Sequence, residues 1–116
     1  MFPYQKLEVY KKAFLINKSI YNLLKGNSLI PPYFKNQLGR ASLSIVLNIA
    51  EGSAKVTNRD RKSFFVIARG STFECAAIVD ILHSENEISM EFKNELDTGF
   101  EEISRMLYTM IKNLEK

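Results

Sequence analysis

The chain has 116 residues, 46% of them hydrophobic, and a formal net charge of +3. That length is enough for one domain with its own hydrophobic core. A single cysteine excludes an internal disulfide and fits a reducing compartment. No apolar run reaches the roughly 18 residues that a membrane-spanning helix needs, and the first residues lack the pattern of a signal peptide. We therefore expect one soluble, cytoplasmic domain over residues 1–116.

The first predicted helix covers residues 5–25. Its apolar side chains recur at spacings typical of an amphipathic helix, at Leu7, Tyr10, Phe14, Tyr21 and Leu24. The stretch Gly26-Asn27-Ser28 favours a helix end, and Pro31-Pro32 prevents an early restart.

The second predicted helix covers residues 33–54 and differs from the others. At about 100° per residue its apolar side chains form two stripes. The first stripe, suited to the core of the protein, is Phe34, Leu38, Ala41, Ile45 and Ile49. The second lies on another side of the helix and comprises Leu43, Val46, Leu47, Ala50 and Ala54. Because one stripe suffices for a core, we expect the second to form an oligomer interface.

Two further helices are predicted at residues 58–84 and 89–115. Thr57 and Ser89 precede them as N-caps, and an acidic residue, Asp60, follows Thr57 by three positions as in a capping box. Their expected core positions alternate steps of four and three, which is a heptad pattern. In the third helix these are Phe64, Ala68, Ser71, Cys75, Ile78 and Leu82, and in the fourth Leu96, Phe100, Ile103, Leu107, Met110 and Leu114.

These four segments determine the expected fold. No segment alternates with the two-residue period of a strand, so we expect no sheet. Long helices joined by short links favour antiparallel neighbours. The sequence therefore predicts an all-α protein, an antiparallel up-down-up-down four-helix bundle.

A line of polar residues crosses the otherwise apolar second helix. Arg40, Ser44, Asn48 and Glu51 are spaced by four, four and three residues, which places them along one line of the helix surface. With Arg69 and Glu74 of the third helix, the charged members could form two opposite-charge pairs between helices. We name these six residues the polar ladder and expect a structural network, with an active site as the less favoured alternative.

The sequence also resembles a known family. The segments Leu7-Glu-Val-Tyr-Lys-Lys-Ala13, Asn48-Ile-Ala-Glu-Gly52 and Ala68-Arg-Gly-Ser71 resemble bacterial four-helix-bundle proteins encoded in intervening sequences of 23S ribosomal RNA genes. The accessory variability protein of diversity-generating retroelements is a similar protein. The resemblance implies a four-helix bundle that assembles as a ring, typically a homopentamer, and nucleic-acid binding for some members.

The chain departs from the family pattern at three places. Val46 stands where many members have proline, and Tyr10 stands where tryptophan is usual. Cys75-Ala76-Ala77 follows Glu74, where a bulkier or more acidic run is common. These departures bear on any partner surface along the third helix and leave the expected fold unchanged.

Enzymatic chemistry has little support in the sequence. A di-iron bundle needs Glu-x-x-His motifs on two helices, and only Asp80-Ile-Leu-His83 comes near. Cys75 lies on the heptad pattern, which favours a buried structural thiol over a nucleophile. Neither a glycine-rich phosphate loop nor a zinc-ligand spacing is present. We expect no catalytic residues, cofactor, metal or small-molecule substrate.

Nucleic-acid binding has more support. In an antiparallel bundle the start of the first helix, the link after the second and the end of the fourth share one end. We name this the basic end, with Lys6, Lys55, Arg59, Arg61, Lys62, Lys112 and Lys116 as candidate contacts to RNA or DNA. A merely solvated end is the alternative. The sequence thus favours a non-enzymatic homo-oligomeric scaffold or nucleic-acid-associated module, and an adaptor for a protein encoded nearby is the second hypothesis.

Overall fold

The computed structural model describes residues 1–27 and 29–116. A short 3-10 helix, Pro3–Lys6, precedes four α-helices: α1 (Glu8–Gly26), α2 (Pro32–Ala54), α3 (Asn58–Ser84) and α4 (Met90–Leu114). No strand occurs in these two ranges. The predicted stop after the first helix includes Ser28, which lies outside the described residues.

Local chemistry explains where the helices begin and end. The Thr57 hydroxyl accepts a hydrogen bond from the Asp60 backbone N–H at 3.1 Å, and the Ser89 hydroxyl accepts one from Phe92 at the same distance. Both serve as N-caps, since they satisfy backbone donors that lack a partner in the first turn. After α3 the chain reverses at Asn86, whose φ of 61° lies in the left-handed region that asparagine tolerates.

The four helices pack as the sequence predicts. Each helix contacts the next one along the chain, and α1 closes the bundle against α4. Short links between consecutive helices make neighbours antiparallel, and the molecule is correspondingly elongated, with extents of 44 × 24 × 21 Å. The all-α up-down-up-down bundle is therefore confirmed.

The core runs along the axis of the bundle. In α2 the first predicted stripe supplies it, because Leu38, Ala41, Ile45 and Ile49 are fully buried. In α3 the buried aromatic residue is Phe65, and Phe64 is only partly buried. The α4 positions Leu96, Phe100, Ile103 and Leu107 complete the core as their heptad spacing predicts.

In α1 the bundle buries a different face from the predicted one. Val9, Ala13 and Ile20 are each only 1% exposed, whereas Phe14 and Tyr21 of the predicted stripe are more than half exposed. Both faces carry apolar residues at helical spacing. The neighbours α2 and α4 decide which one is covered, so the spacing alone was ambiguous.

Candidate interaction surfaces

The outer face of α2 carries exposed apolar side chains. Leu43 and Leu47 are 47% and 52% exposed, Ala54 is exposed and Ala50 is partly exposed. Their spacing of four, three and four residues places them on one line, which we name the α2 strip. Val46, predicted as a fifth member, is instead 7% exposed and packs in the core, because its position is about 100° around the helix from Leu47.

Aromatic residues extend the apolar surface from the α2 strip toward the start of the chain. Phe2, Tyr4 and the strip residues Leu47, Ala50 and Ala54 line one shallow cavity of about 360 Å³. Aromatic contacts continue onto α1, with ring centroids 4.8 Å apart for Tyr4 and Tyr10 and 6.1 Å apart for Tyr10 and Phe14. The strip is therefore part of a broader apolar face over α1 and α2.

The polar ladder marks the line along which α2 meets α3. The Ser44 and Ser71 hydroxyls are 2.8 Å apart, and the Asn48 amide donates to the Ser44 hydroxyl at 3.0 Å. Asn48 also donates to the Ser44 carbonyl at 2.9 Å, so these polar groups satisfy one another. The Arg40 guanidinium lies 2.9 Å from the Glu74 carboxylate.

Two charged members of the ladder depart from the expected pairing. Glu51 faces Lys55, one turn along the chain, at 3.7 Å and makes no ion pair with α3. Arg69 points toward α4, where its Nε donates to the Ser104 carbonyl at 3.1 Å. Arg40 also differs from a buried charge, since its side chain is 63% exposed. The ladder thus contains one interhelical ion pair, although its sequence allowed two. That pair is solvent-accessible.

The basic end is assembled from distant parts of the chain. Leu7, Ser53, Arg61 and Leu114 line one cavity of about 340 Å³, which brings the chain start, both ends of the α2–α3 link and the α4 terminus together. Most cations of the basic end contact a carboxylate or a backbone carbonyl close by. Glu115 pairs with Lys62 at 2.6 Å and with Lys112 at 3.2 Å.

The remaining members of the basic end differ in how they are held. Lys55 pairs with Glu51, and the Arg61 Nε donates to the Lys55 carbonyl at 2.7 Å. Within residues 1–27 and 29–116, Lys6, Arg59 and Lys116 form no ion pair with a carboxylate. These three are therefore available to an external anion.

The described residues include few side chains that are suited to catalysis. The Cys75 thiol is fully buried, and burial raises its pKa to about 12, so it stays protonated at neutral pH. In the described part of the chain no three metal-ligating side chains cluster. Over the same residues, none of the helices has the length and apolar character to cross a membrane.

The fold and these surfaces define a four-helix bundle with an uncharged outer strip and a cationic end. A family model described as 23S rRNA-intervening sequence protein matches residues 5–109. The chain therefore belongs to the family of 23S rRNA-intervening sequence proteins.

A solved structure has the same fold. The crystal structure of a protein of unknown function from the S23 ribosomal protein family of Bacteroides thetaiotaomicron superposes with a TM-score of 0.85 at 24% sequence identity. The superposition covers 90% of this chain and 98% of that one. None of the curated proteins matches significantly.

Proposed function

We propose that this protein is a non-catalytic cytoplasmic scaffold that assembles as a homo-oligomeric ring, most simply a pentamer. The observation that carries the proposal is the α2 strip. The pentameric number rests on the family resemblance, and the cytoplasmic location rests on the single buried cysteine.

The α2 strip favours association because it exposes leucine side chains in a contiguous surface. Covering a few hundred Å² of apolar surface at about 25 cal/mol per Å² contributes several kcal/mol per subunit. Contiguous apolar patches larger than this are rare on monomers, and the largest patch on a protein surface often marks an interaction site. The outer face of α4, by contrast, carries charged residues such as Glu91, Glu95 and Arg105, which suits contact with water.

The assembly is tested by light scattering after size exclusion at micromolar concentration. A pentamer has five times 13.3 kDa, about 67 kDa. Leu47→Glu places a charge in the α2 strip and should reduce the mass to that of one chain while circular dichroism stays helical. Leu15→Glu is the matched control, since Leu15 is 62% exposed on α1. A single-chain mass for the unmodified protein contradicts the proposal and favours the adaptor hypothesis, in which another protein covers the strip.

Association with nucleic acid is a second proposed role, supported by the unpaired cations of the basic end. A ring repeats Lys6, Arg59 and Lys116 around its axis, which multiplies the local positive potential. Each phosphate neutralised by a cation releases counterions, so affinity should fall steeply with salt.

The test replaces Lys6, Arg59 and Lys116 with serine and measures binding to labelled RNA and DNA at several salt concentrations. We expect weaker binding to all sequences alike and a shallower salt dependence. Replacing Lys18, Lys25 and Lys35 with serine removes the same charge elsewhere and is the control. Equal effects of the two triple variants would show that net charge, and not the basic end, governs binding.

A further inference from the structure

A groove between α3 and α4 combines aromatic rings with cations. It has a volume of about 550 Å³, and its lining includes Arg69, Phe73, Tyr108 and Lys112. The Arg69 guanidinium carbon lies 4.9 Å from the Phe73 ring centroid and 5.3 Å from that of Tyr108. One cation is therefore held between two rings that belong to different helices.

The position of Arg69 is fixed by a further contact. Its Nε donates to the backbone carbonyl of Ser104 at 3.1 Å, which uses one donor and leaves the rest of the guanidinium able to bind an anion. Cation–π contact with both rings restrains the plane of the group. Such a preorganised arginine suits recognition of a phosphate next to an aromatic surface.

The two rings remain accessible. Phe73 is 56% exposed and Tyr108 is 49% exposed, whereas Phe65 of α3 and Phe100 of α4 are only 4% and 3% exposed. The Lys112 ammonium lies 5.5 Å from the Tyr108 ring centroid. Alternation of exposed rings with cations is the arrangement on which unpaired bases stack while their phosphates are neutralised.

A carboxylate already occupies the cationic end of the groove. Glu115 lies 2.6 Å from the Lys62 ammonium and 3.2 Å from that of Lys112. An anionic oxygen group thus sits between two ammonium groups, as a phosphate would. An incoming phosphate would compete with Glu115 for both lysines.

We propose that this groove, the α3–α4 groove, binds single-stranded nucleic acid, with phosphates held by Arg69, Lys62 and Lys112 and bases stacked on the faces of Phe73 and Tyr108 that Arg69 leaves free. The inference rests on the nucleic-acid role proposed above and adds a site and a ligand class to it. A duplex is excluded from this mode because its bases are stacked on one another and offer no free face. Glu115 limits the affinity by occupying the two lysines.

The test uses fluorescence anisotropy with a labelled oligo(dT) 20-mer and a duplex of the same length. Tyr108→Ala and Phe73→Ala should each weaken binding of the single strand about tenfold, the effect of losing one stacked base, and leave duplex binding unchanged. Glu115→Gln should strengthen binding of the single strand. Tyr33→Ala, at a 63% exposed tyrosine on α2, should bind as the unmodified protein does.

A spectroscopic measurement separates stacking from general stability. The chain has no tryptophan, so Tyr108→Trp introduces a single tryptophan, which can be excited selectively, and retains an aromatic platform. Oligo(dT) should quench its emission. Tyr21→Trp is the control. Tyr21 is exposed on α1, and the Lys25 ammonium lies 5.2 Å from its ring centroid. No quenching is expected at this position.

The outcomes distinguish this groove from the other proposals. Unquenched emission from the Tyr108→Trp variant, or unchanged affinity in both alanine variants, overturns the α3–α4 groove even if nucleic acid binds at Lys6, Arg59 and Lys116 of the basic end. If the unmodified protein binds neither the single strand nor the duplex, both nucleic-acid proposals are overturned. The homo-oligomeric scaffold is decided separately by its mass in light scattering.

Discussion

Arg40 shows how exposure changes the value of an ion pair. Its guanidinium donates to the Gln37 side chain at 2.7 Å and to Glu74 at 2.9 Å, so the geometry is good. The Arg40 and Glu74 side chains are nevertheless 63% and 39% exposed. Water therefore screens the pair, and its contribution to stability is much smaller than that of a buried pair.

Removing Arg40 should accordingly cost little. We expect Arg40→Ala to lower the free energy of unfolding by about 1 kcal/mol or less, because exposed pairs contribute about 0–1 kcal/mol. A buried pair would have cost about 3–5 kcal/mol. Urea unfolding of Arg40→Ala, Glu74→Ala and the double variant measures the coupling. A loss of several kcal/mol would indicate that assembly buries the pair.

At the scale of the element, α2 is distinguished by an outer face that lacks charged side chains. Between Arg40 and Glu51 that face presents Leu43 and Leu47 to solvent, whereas the outer face of α4 presents charged residues. The α3 face beside it continues this character with Ile67, which is 50% exposed. Hydrophobic burial of these two faces is the physical basis of the proposed assembly.

The helices also depend on their caps, and α4 offers the clearest test. Ser89→Ala removes the acceptor for the Phe92 N–H and should lower the free energy of unfolding by about 1 kcal/mol. Ser89→Asp keeps an acceptor at the N-cap and adds a negative charge at the positive end of the helix, so it should retain stability. Thermal unfolding of both variants compares them, and an unchanged melting temperature for Ser89→Ala would show that the cap contributes nothing.

At the scale of the whole molecule, ion pairs join different helices. Lys12 of α1 contacts Glu102 of α4 at 2.8 Å. Lys93 of α4 contacts Asp80 of α3 at 3.1 Å. The hydrogen bond and the charge of Lys12 lower the pKa of Glu102, and those of Glu102 raise the pKa of Lys12.

These shifts predict how stability depends on pH. A lowered carboxyl pKa contributes stability that is present above the unfolded value of 4.5 and is lost as the pH falls through the folded pKa. The raised Lys12 pKa contributes stability that is present below 10.5 and is lost as the pH rises through the folded pKa. The melting temperature should therefore be nearly constant at neutral pH and fall at both extremes.

The contribution of this pair is isolated with Glu102→Gln. The difference in melting temperature between the unmodified protein and Glu102→Gln should shrink as the pH falls below 4.5, because protonation then removes the same charge. A difference that stays constant from pH 7 to pH 3 would show that packing, and not the charge of Glu102, causes it.

The sequence alone determined the helices and the fold class. Local chemistry explains this success, since caps such as Thr57 and Ser89 and the three-and-four spacing of Leu96, Phe100 and Ile103 act within a few residues. The family resemblance also followed from residues read in order, and the match over residues 5–109 confirmed it.

Only the tertiary structure decided which faces meet. Two apolar faces of α1 compete for the core, and the neighbouring helices select the one with Val9 and Ile20. Val46 is buried because α2 presents that side to the core, although a valine side chain is suited to both the core and an interface. The α3–α4 groove has a partial sequence signal, since Arg69 and Phe73 are four residues apart. Its second ring, Tyr108, arrives from α4, and such a long-range contact depends on how helices pack and not on any local pattern.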